Sequence, residues 1–360
     1  VRLIRGRSSG LRVGVGEKAW LSGVKLILTL DSDTCLTVGS ARALAGAMLH
    51  PLNRPVVDEK RKIVVSGYGL FQPRVGVELE AANRSLFSRV FGGLGGVDPY
   101  GWAASDVYHD LFDQGSYTGK GIFDVEAFDT CLEGRFPQGQ ILSHDLLEGS
   151  YLRAGLLGEV ELTDGCPYQV RSYFARLHRW IRGDWQLLPW LGRRVPAENG
   201  TWEENPLPIL ARWKIADNLR RSLSPIVTFL ALMLGLCVSG RVFALAGTVA
   251  VLSAASNLLL SGAEAAARPW GRRRRYHSTV ISGVAGVILQ TAIQLLFLPY
   301  QAWISAWAIC CALWRMKVSH KNLLAWVTAA QAEQRGNHLG HYIRSFWFSL
   351  AMGAGGAGRG

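Results

Sequence analysis

The stretch GVKLILTL (23–30), running into Asp31-Ser32-Asp33-Thr34, decides how the first 221 residues are read. An unbroken apolar run rich in Leu and Ile predicts a strand buried on both faces, as in a parallel or mixed α/β sheet. Carboxylates at the C-terminal end of a central strand lie where open α/β sheets bind ligands. Asp31 and Asp33 are two apart, so an extended chain points both toward one divalent ion or its shell. Mg²⁺ takes hard oxygen ligands, commonly one or two carboxylates plus substrate phosphates. The competing reading is a turn in which Asp31 or Asp33 hydrogen-bonds its own backbone. DxD alone does not separate the two.

Working outward, residues 37–49 read as a helix stopped by Pro51, 62–66 as a strand and 77–90 as a helical stretch. DQGSYTGKGIF (113–123) is a Gly-rich loop around Lys120 without the GxxxxGK[ST] spacing of a Walker loop. Its two glycines flanking Lys120 permit close backbone approach to a ligand. Lys120 then either contacts phosphate or lies on the surface. In LSHDLLEG (142–149), Asp145 and Glu148 are three apart at the opening of a helix. They read either as N-cap and N3 of a capping box, or as a site in which Asp145 is a general base. VRSYFARLHRWIR (170–182) has helical periodicity ending at Gly183, with Arg176, Arg179 and Arg182 on one stripe and Trp180 one turn from Arg176. Such a stripe suits a diphosphate and a stacked sugar, or a basic helix beside anionic lipid.

Residues 223–240 and 242–260 are each near the ~20 residues that span hydrocarbon; 278–298 is a third candidate and 300–314 a shorter fourth. Pro299 and Tyr300 leave little room for a turn, so the last two read as one broken element or a re-entrant hairpin. Arg220 and Arg221, then Arg268 and Arg272–Arg275, then Arg315, Lys317 and Lys321 flank the spans on one side, against Arg241 on the other. The bias predicts that these loops and residues 1–221 are cytoplasmic. The domain expectation is therefore a catalytic domain over 1–221, a transmembrane region of three to four helices over 222–315 and a juxtamembrane tail over 316–360.

Of 360 residues, 49% are hydrophobic and 18% charged, and 39 Lys and Arg against 27 Asp and Glu give a net +12. The separation of a charged, Gly-rich half from an apolar half excludes intrinsic disorder and a simple soluble enzyme. The six cysteines form no CxxC pair, so neither a disulfide scaffold nor a thiolate zinc site is indicated. Much of the excess positive charge flanks the spans, and no homeodomain-like, finger-like or RNP pattern occurs; no nucleic-acid partner is expected. The sequence opens on Val1 and reaches strand interior by 19–30, as expected of a piece of a longer protein.

LTLDSDT (28–34), MLHPLNRP (48–55), YGLFQPRV (68–75), DVYHDLF (106–112), YTGKGIFDVEAF (117–128), RFPQGQILSHDLLEG (135–149), LHRWIRGDWQLLPW (177–190) and KNLLAWVTAA (321–330) occur in that order. This set resembles the glycosyltransferase domain of bacterial cyclic β-1,2-glucan synthases, from about residue 23 to about 334. The resemblance implies an A-type glycosyltransferase domain, α/β with a mixed sheet flanked by helices, followed by a multi-helix transmembrane region of the bacterial inner membrane. It implies inverting transfer from UDP-glucose to a β-1,2-glucan on an enzyme-linked primer, with Mg²⁺ or Mn²⁺ as cofactor. By resemblance, Asp31 and Asp33 match the DxD that holds the ion and donor diphosphate. Asp145 takes the general-base place of the TED motif, and Arg179 and Trp180 that of RW in QxxRW. Arg176 stands where that signature has Gln. Lys120 and Arg176 join the donor and acceptor contacts, and membrane lipid and a C-terminal phosphorylase-like module are implied partners. The family's uridine-contacting strand lies upstream of Val1. Two alternatives stay open: another processive membrane β-glycosyltransferase, or a non-catalytic assembly or export subunit.

Overall fold

The computed structural model describes residues 1–7, 10, 11, 13–91, 106–267 and 284–326, with side chains omitted for 255–267 and 284–287. The Arg268 to Arg275 loop, residues 278–283 of the third expected span, 327–330 of the KNLLAWVTAA motif and the rest of the 316–360 tail lie outside the described residues. The chain divides into two compact units: Val1–Glu78 with Gly95–Gly165 and Leu187–Ile215, and Leu79–Leu94 with Cys166–Gln186 and Ala216–Gly360.

The first unit is built on a five-stranded mixed sheet. Its strands are β1 (Leu26–Thr29), β2 (Cys35–Leu36), β5 (Leu70–Val77), β6 (Gly121–Asp124) and β7 (Ala154–Asp164), in the order β1-β6-β5-β7-β2. β5 and β7 are parallel; β1–β6, β5–β6 and β2–β7 are antiparallel. Strands β3 (Val56–Asp58) and β4 (Ile63–Ser66) form one hairpin, and β8 (Arg194–Pro196) and β9 (Trp202–Glu204) another. The expected buried, central strand is corrected: β1 is an edge strand and all four of its residues are only partly buried. An apolar run cannot distinguish a central strand from an edge strand covered mainly by helices.

Alternation along the strands fixes the core. Leu70 of β5 and Phe123 of β6 join Cys131, Leu147, Tyr151, Trp190 and Leu207 in one cluster. Their neighbours Phe71 and Ile122 point the other way, onto Leu44 and Met48 of α1 (Ser40–Leu49). Helices α5 (Val125–Leu132) and α6 (Asp145–Tyr151) contribute to the first cluster, and α4 (Val107–Phe112) precedes the Gly-rich loop. Pro73 sits where the β5–β7 register shifts, a place where a residue without an N–H is tolerated.

In the second unit the expected helix over 77–90 is two short ones, α2 (Leu79–Asn83) and α3 (Leu86–Phe91). Ser85 breaks the run: its Oγ accepts from Ser88 N at 2.9 Å and donates to Tyr168 O at 2.6 Å. Helix α7 (Val170–Gln186) continues past Gly183, which is buried in its last turn. Helix α8 (Ile209–Val238) runs unbroken through residue 221 and through Pro225, and α9 (Gly240–Ala267) follows. Helix α10 (Val284–Trp314) contains Pro299, so the stretches read as third and fourth spans are one helix over the described residues. A single Pro removes one backbone bond and does not end an apolar helix whose neighbours compensate. Among the described residues, two segments, Ile209–Val238 and Ile288–Ser319, are long and apolar enough to cross a membrane.

Candidate active site

Only five residues separate β1 from β2, yet these strands occupy opposite edges of the sheet. Four inter-strand gaps come to about 19 Å, and six Cα steps reach at most about 21 Å. A straight link would only just reach across a flat sheet, so a link that turns requires the sheet to curl and bring its edges closer. The link is Leu30-Asp31-Ser32-Asp33-Thr34, and it turns, with Thr34 N donating to Asp31 O at 3.1 Å. The extended conformation expected for Asp31 and Asp33 is thus replaced by a turn. The turn is closed by the Asp31 backbone carbonyl, while the Asp31 carboxylate pairs with Lys120.

Lys120 immediately precedes β6, and Asp164 ends β7. The Lys120 Nζ lies 3.0 Å from Asp31 Oδ2 and 2.9 Å from Asp164 Oδ2. Its side chain is 7% exposed, against 9% for Asp164 and 57% for Asp31. Burial disfavours the ammonium, but Asp164 and Asp31 more than offset this and hold its pKa above the ordinary value. Asp164 also accepts from Thr34 Oγ1 at 2.7 Å. Asp33 is exposed, and a Cβ added to Gly165 would sit 3.4 Å from its Oδ2.

The Gly-rich loop is tightly held rather than loose. Gln72, buried in β5, accepts from Thr118 N at 2.9 Å and Thr118 Oγ1 at 3.2 Å. Lys214 Nζ donates to Gln114 O and Gly115 O at 3.1 and 2.7 Å, and Asp106 accepts from Ser116 N. Tyr117 OH meets Thr29 Oγ1 at 2.8 Å. Gly119 has φ +92°, and a Cβ on it would come 3.1 Å from Asp145 Oδ1. The glycine thus admits the Asp145 carboxylate beside Lys120.

Asp145 is the first residue of α6; the N-cap is His144, and neither side chain caps the helix. The capping-box reading therefore does not describe this turn. Asp145 Oδ2 instead accepts from Ser143 Oγ at 2.8 Å. Burial raises the Asp145 pKa against the opposing bond from Ser143, with nearby Asp31 adding to the rise. Glu148, three residues on, is pushed up to about 8 by burial and by Asp145. Asp31, Lys120 and Asp145 thus share one electrostatic environment at the edge where β1, β5 and β7 end.

In the second unit, Arg176 lies over the Trp180 ring at 4.7 Å and Arg179 over Trp326 at 4.5 Å. Arg182 donates to Ala325 O at 2.7 Å and Leu323 O at 3.0 Å. The single cationic stripe read from sequence therefore has three different sets of partners. Ile181 packs with Ala308 and Ile309, fixing α7 on α10.

Among the described residues no three His, Cys, Asp or Glu side chains gather to hold a metal. The donor set present still fits Mg²⁺ or Mn²⁺, because Asp31 and Asp33 are exposed carboxylates and such ions complete their shells from diphosphate and water. Asp164, Gln72 and Lys214, which contact the turn and the Gly-rich loop, carry no local sequence signal. Each acts through a contact distant in sequence, 130 residues for Thr34 with Asp164.

No family model matches the chain. It is 38% identical over 336 residues to the cyclic beta-(1,2)-glucan synthase NdvB of Rhizobium meliloti (strain 1021). The chain is homologous to a segment of that synthase. The alignment covers 92% of this chain and spans 12% of the length of NdvB. The mixed sheet flanked by helices is like that of A-type glycosyltransferases and is followed, among the described residues, by a region with two long apolar helices.

Proposed function

We propose that the chain transfers glucose from UDP-glucose to a growing β-1,2-glucan with inversion at the anomeric carbon. The supporting observation is the grouping of Asp31, Lys120 and the burial-raised Asp145 at one strand-end edge, in a homologue of a glucan synthase. Asp33 and Asp31 would hold Mg²⁺ or Mn²⁺, which supplies positive charge to the leaving diphosphate.

Asp145 takes the proton from the acceptor 2-hydroxyl as that oxygen attacks the anomeric carbon from the face opposite UDP. The new bond is oxygen to anomeric carbon, and the electrons of the broken bond leave on the diphosphate. No covalent glycosyl-enzyme forms. A carboxylate with a raised pKa is a stronger proton acceptor than an ordinary one, which favours the transfer. The bond from Ser143 orients Asp145, and Lys120 holds Asp31 in place. Arg179 and Trp180, at the RW position that the resemblance implies, are read as contacting the diphosphate and the acceptor sugar, with Arg176 over the Trp180 ring.

The reading extends to the bacterial inner membrane, with residues 1–221 cytoplasmic and 222–315 crossing it in several helices. Membrane lipid, an enzyme-linked primer and a phosphorylase-like module elsewhere in a longer protein are its partners. Asp145→Asn tests the chemistry. Donor affinity should stay within about twofold while transfer falls by about 10² to 10⁴, the usual contribution of general-base catalysis. Transfer at the wild-type rate would remove Asp145 as the base.

A further inference from the structure

We propose that Asp164 is a positioning residue for the donor site, acting on Asp31 through Lys120; this rests on the reading of Asp31 and Asp33 as the donor carboxylates. Asp164 and its neighbour reach three residues of the Asp31–Thr34 turn. Thr34 Oγ1 donates to Asp164 Oδ1 at 2.7 Å, Asp31 is reached through Lys120, and Gly165 borders Asp33. Asp164 is itself anchored at the strand end, where its carbonyl accepts from Glu78 N at 2.9 Å.

The exposures order the chain of influence. Asp164 and Lys120 are both nearly sealed from water, whereas Asp31 is 57% exposed. A buried ammonium needs a buried partner, so Asp164 sets where Lys120 lies, and Lys120 sets where the exposed Asp31 carboxylate points. Two carboxylates against one ammonium also leave a net negative charge on the trio. With Asp164 present, Lys120 does not fully neutralise Asp31. With Asp164 replaced by Asn, Lys120 belongs to Asp31 alone and competes with any cation there.

The test is a double-mutant cycle on the full chain in detergent, titrating Mn²⁺ in the presence of UDP and reading free Mn²⁺ by electron paramagnetic resonance. Asp164→Asn should weaken Mn²⁺ binding about tenfold, and Asp31→Asn by a similar factor. The double variant should fall within about threefold of Asp31→Asn, because only the bond to Thr34 is left for Asp164 to act through. Thr34→Val, which keeps every charge, should cost two- to threefold and guards against misfolding of the Asp164 variant. Wild-type affinity in Asp164→Asn, or a further tenfold loss on adding it to Asp31→Asn, would overturn the proposal while leaving the donor reading intact. Asp33→Asn separates the two: it should abolish binding, and wild-type affinity there would overturn the donor-site reading and this proposal together.

Discussion

Glu148 carries a pH signature that follows from its burial. Its folded pKa of about 8 lies above the ordinary carboxylate value because burial, and then Asp145, disfavour its charge. Between the ordinary value of 4.5 and about 8 the folded state holds a proton that the unfolded state has released. Stability is therefore full at low pH and falls by about 1.4 kcal/mol per pH unit across that window. Glu148→Gln removes the ionisation, so its melting temperature should exceed wild type at pH 8.5 and match it at pH 4.5. A variant equally or less stable at pH 8.5 would show that Glu148 ionises freely in the fold. At this scale the places of Asp31, Asp33 and Asp145 at element boundaries were legible in sequence. Asp164 was not, because its partners Thr34 and Lys120 come from other strands and no local spacing marks the meeting.

At the scale of elements, the loop around Lys120 shows why two glycines were legible as a feature but not as a device. A Cβ on Gly121 would lie 2.2 Å from the Phe71 carbonyl oxygen, a backbone atom of the adjacent strand that cannot rotate away. Gly121→Ala should therefore cost about 3 kcal/mol, at the upper end for overpacking, and lower the thermal midpoint in step; an unchanged midpoint would mean that β5 and β6 separate freely here. The glycine thus serves strand packing, and Gly119, with its positive φ and its approach to Asp145, serves the site. Apolar patterning marked α1, β4 and α7, each of which buries a stripe or run, and the long apolar helices, whose continuous apolar sequence shows in composition alone. It did not mark β1 as an edge strand or Ser85 as a break, which depend on neighbours in space.

For the whole molecule, the division into a charged half and an apolar half was written in composition, and the two long apolar helices agree with it. Its sidedness is an electrostatic argument from Lys and Arg, and it makes a prediction. Cys35 is exposed, so a variant retaining it as the sole cysteine should react with an impermeant maleimide in inverted inner-membrane vesicles and not in intact cells. Labelling from outside intact cells would reverse the orientation.

The most direct measurement is UDP release from UDP-glucose by the detergent-solubilised chain with a β-1,2-glucan primer, in Mg²⁺ or Mn²⁺ and then in chelator. The account predicts release that requires the metal, is abolished by chelator and exceeds an Asp33→Ala control by at least about tenfold. Release equal in wild type and Asp33→Ala, or unaffected by chelator, would contradict a metal–diphosphate site at the end of β1.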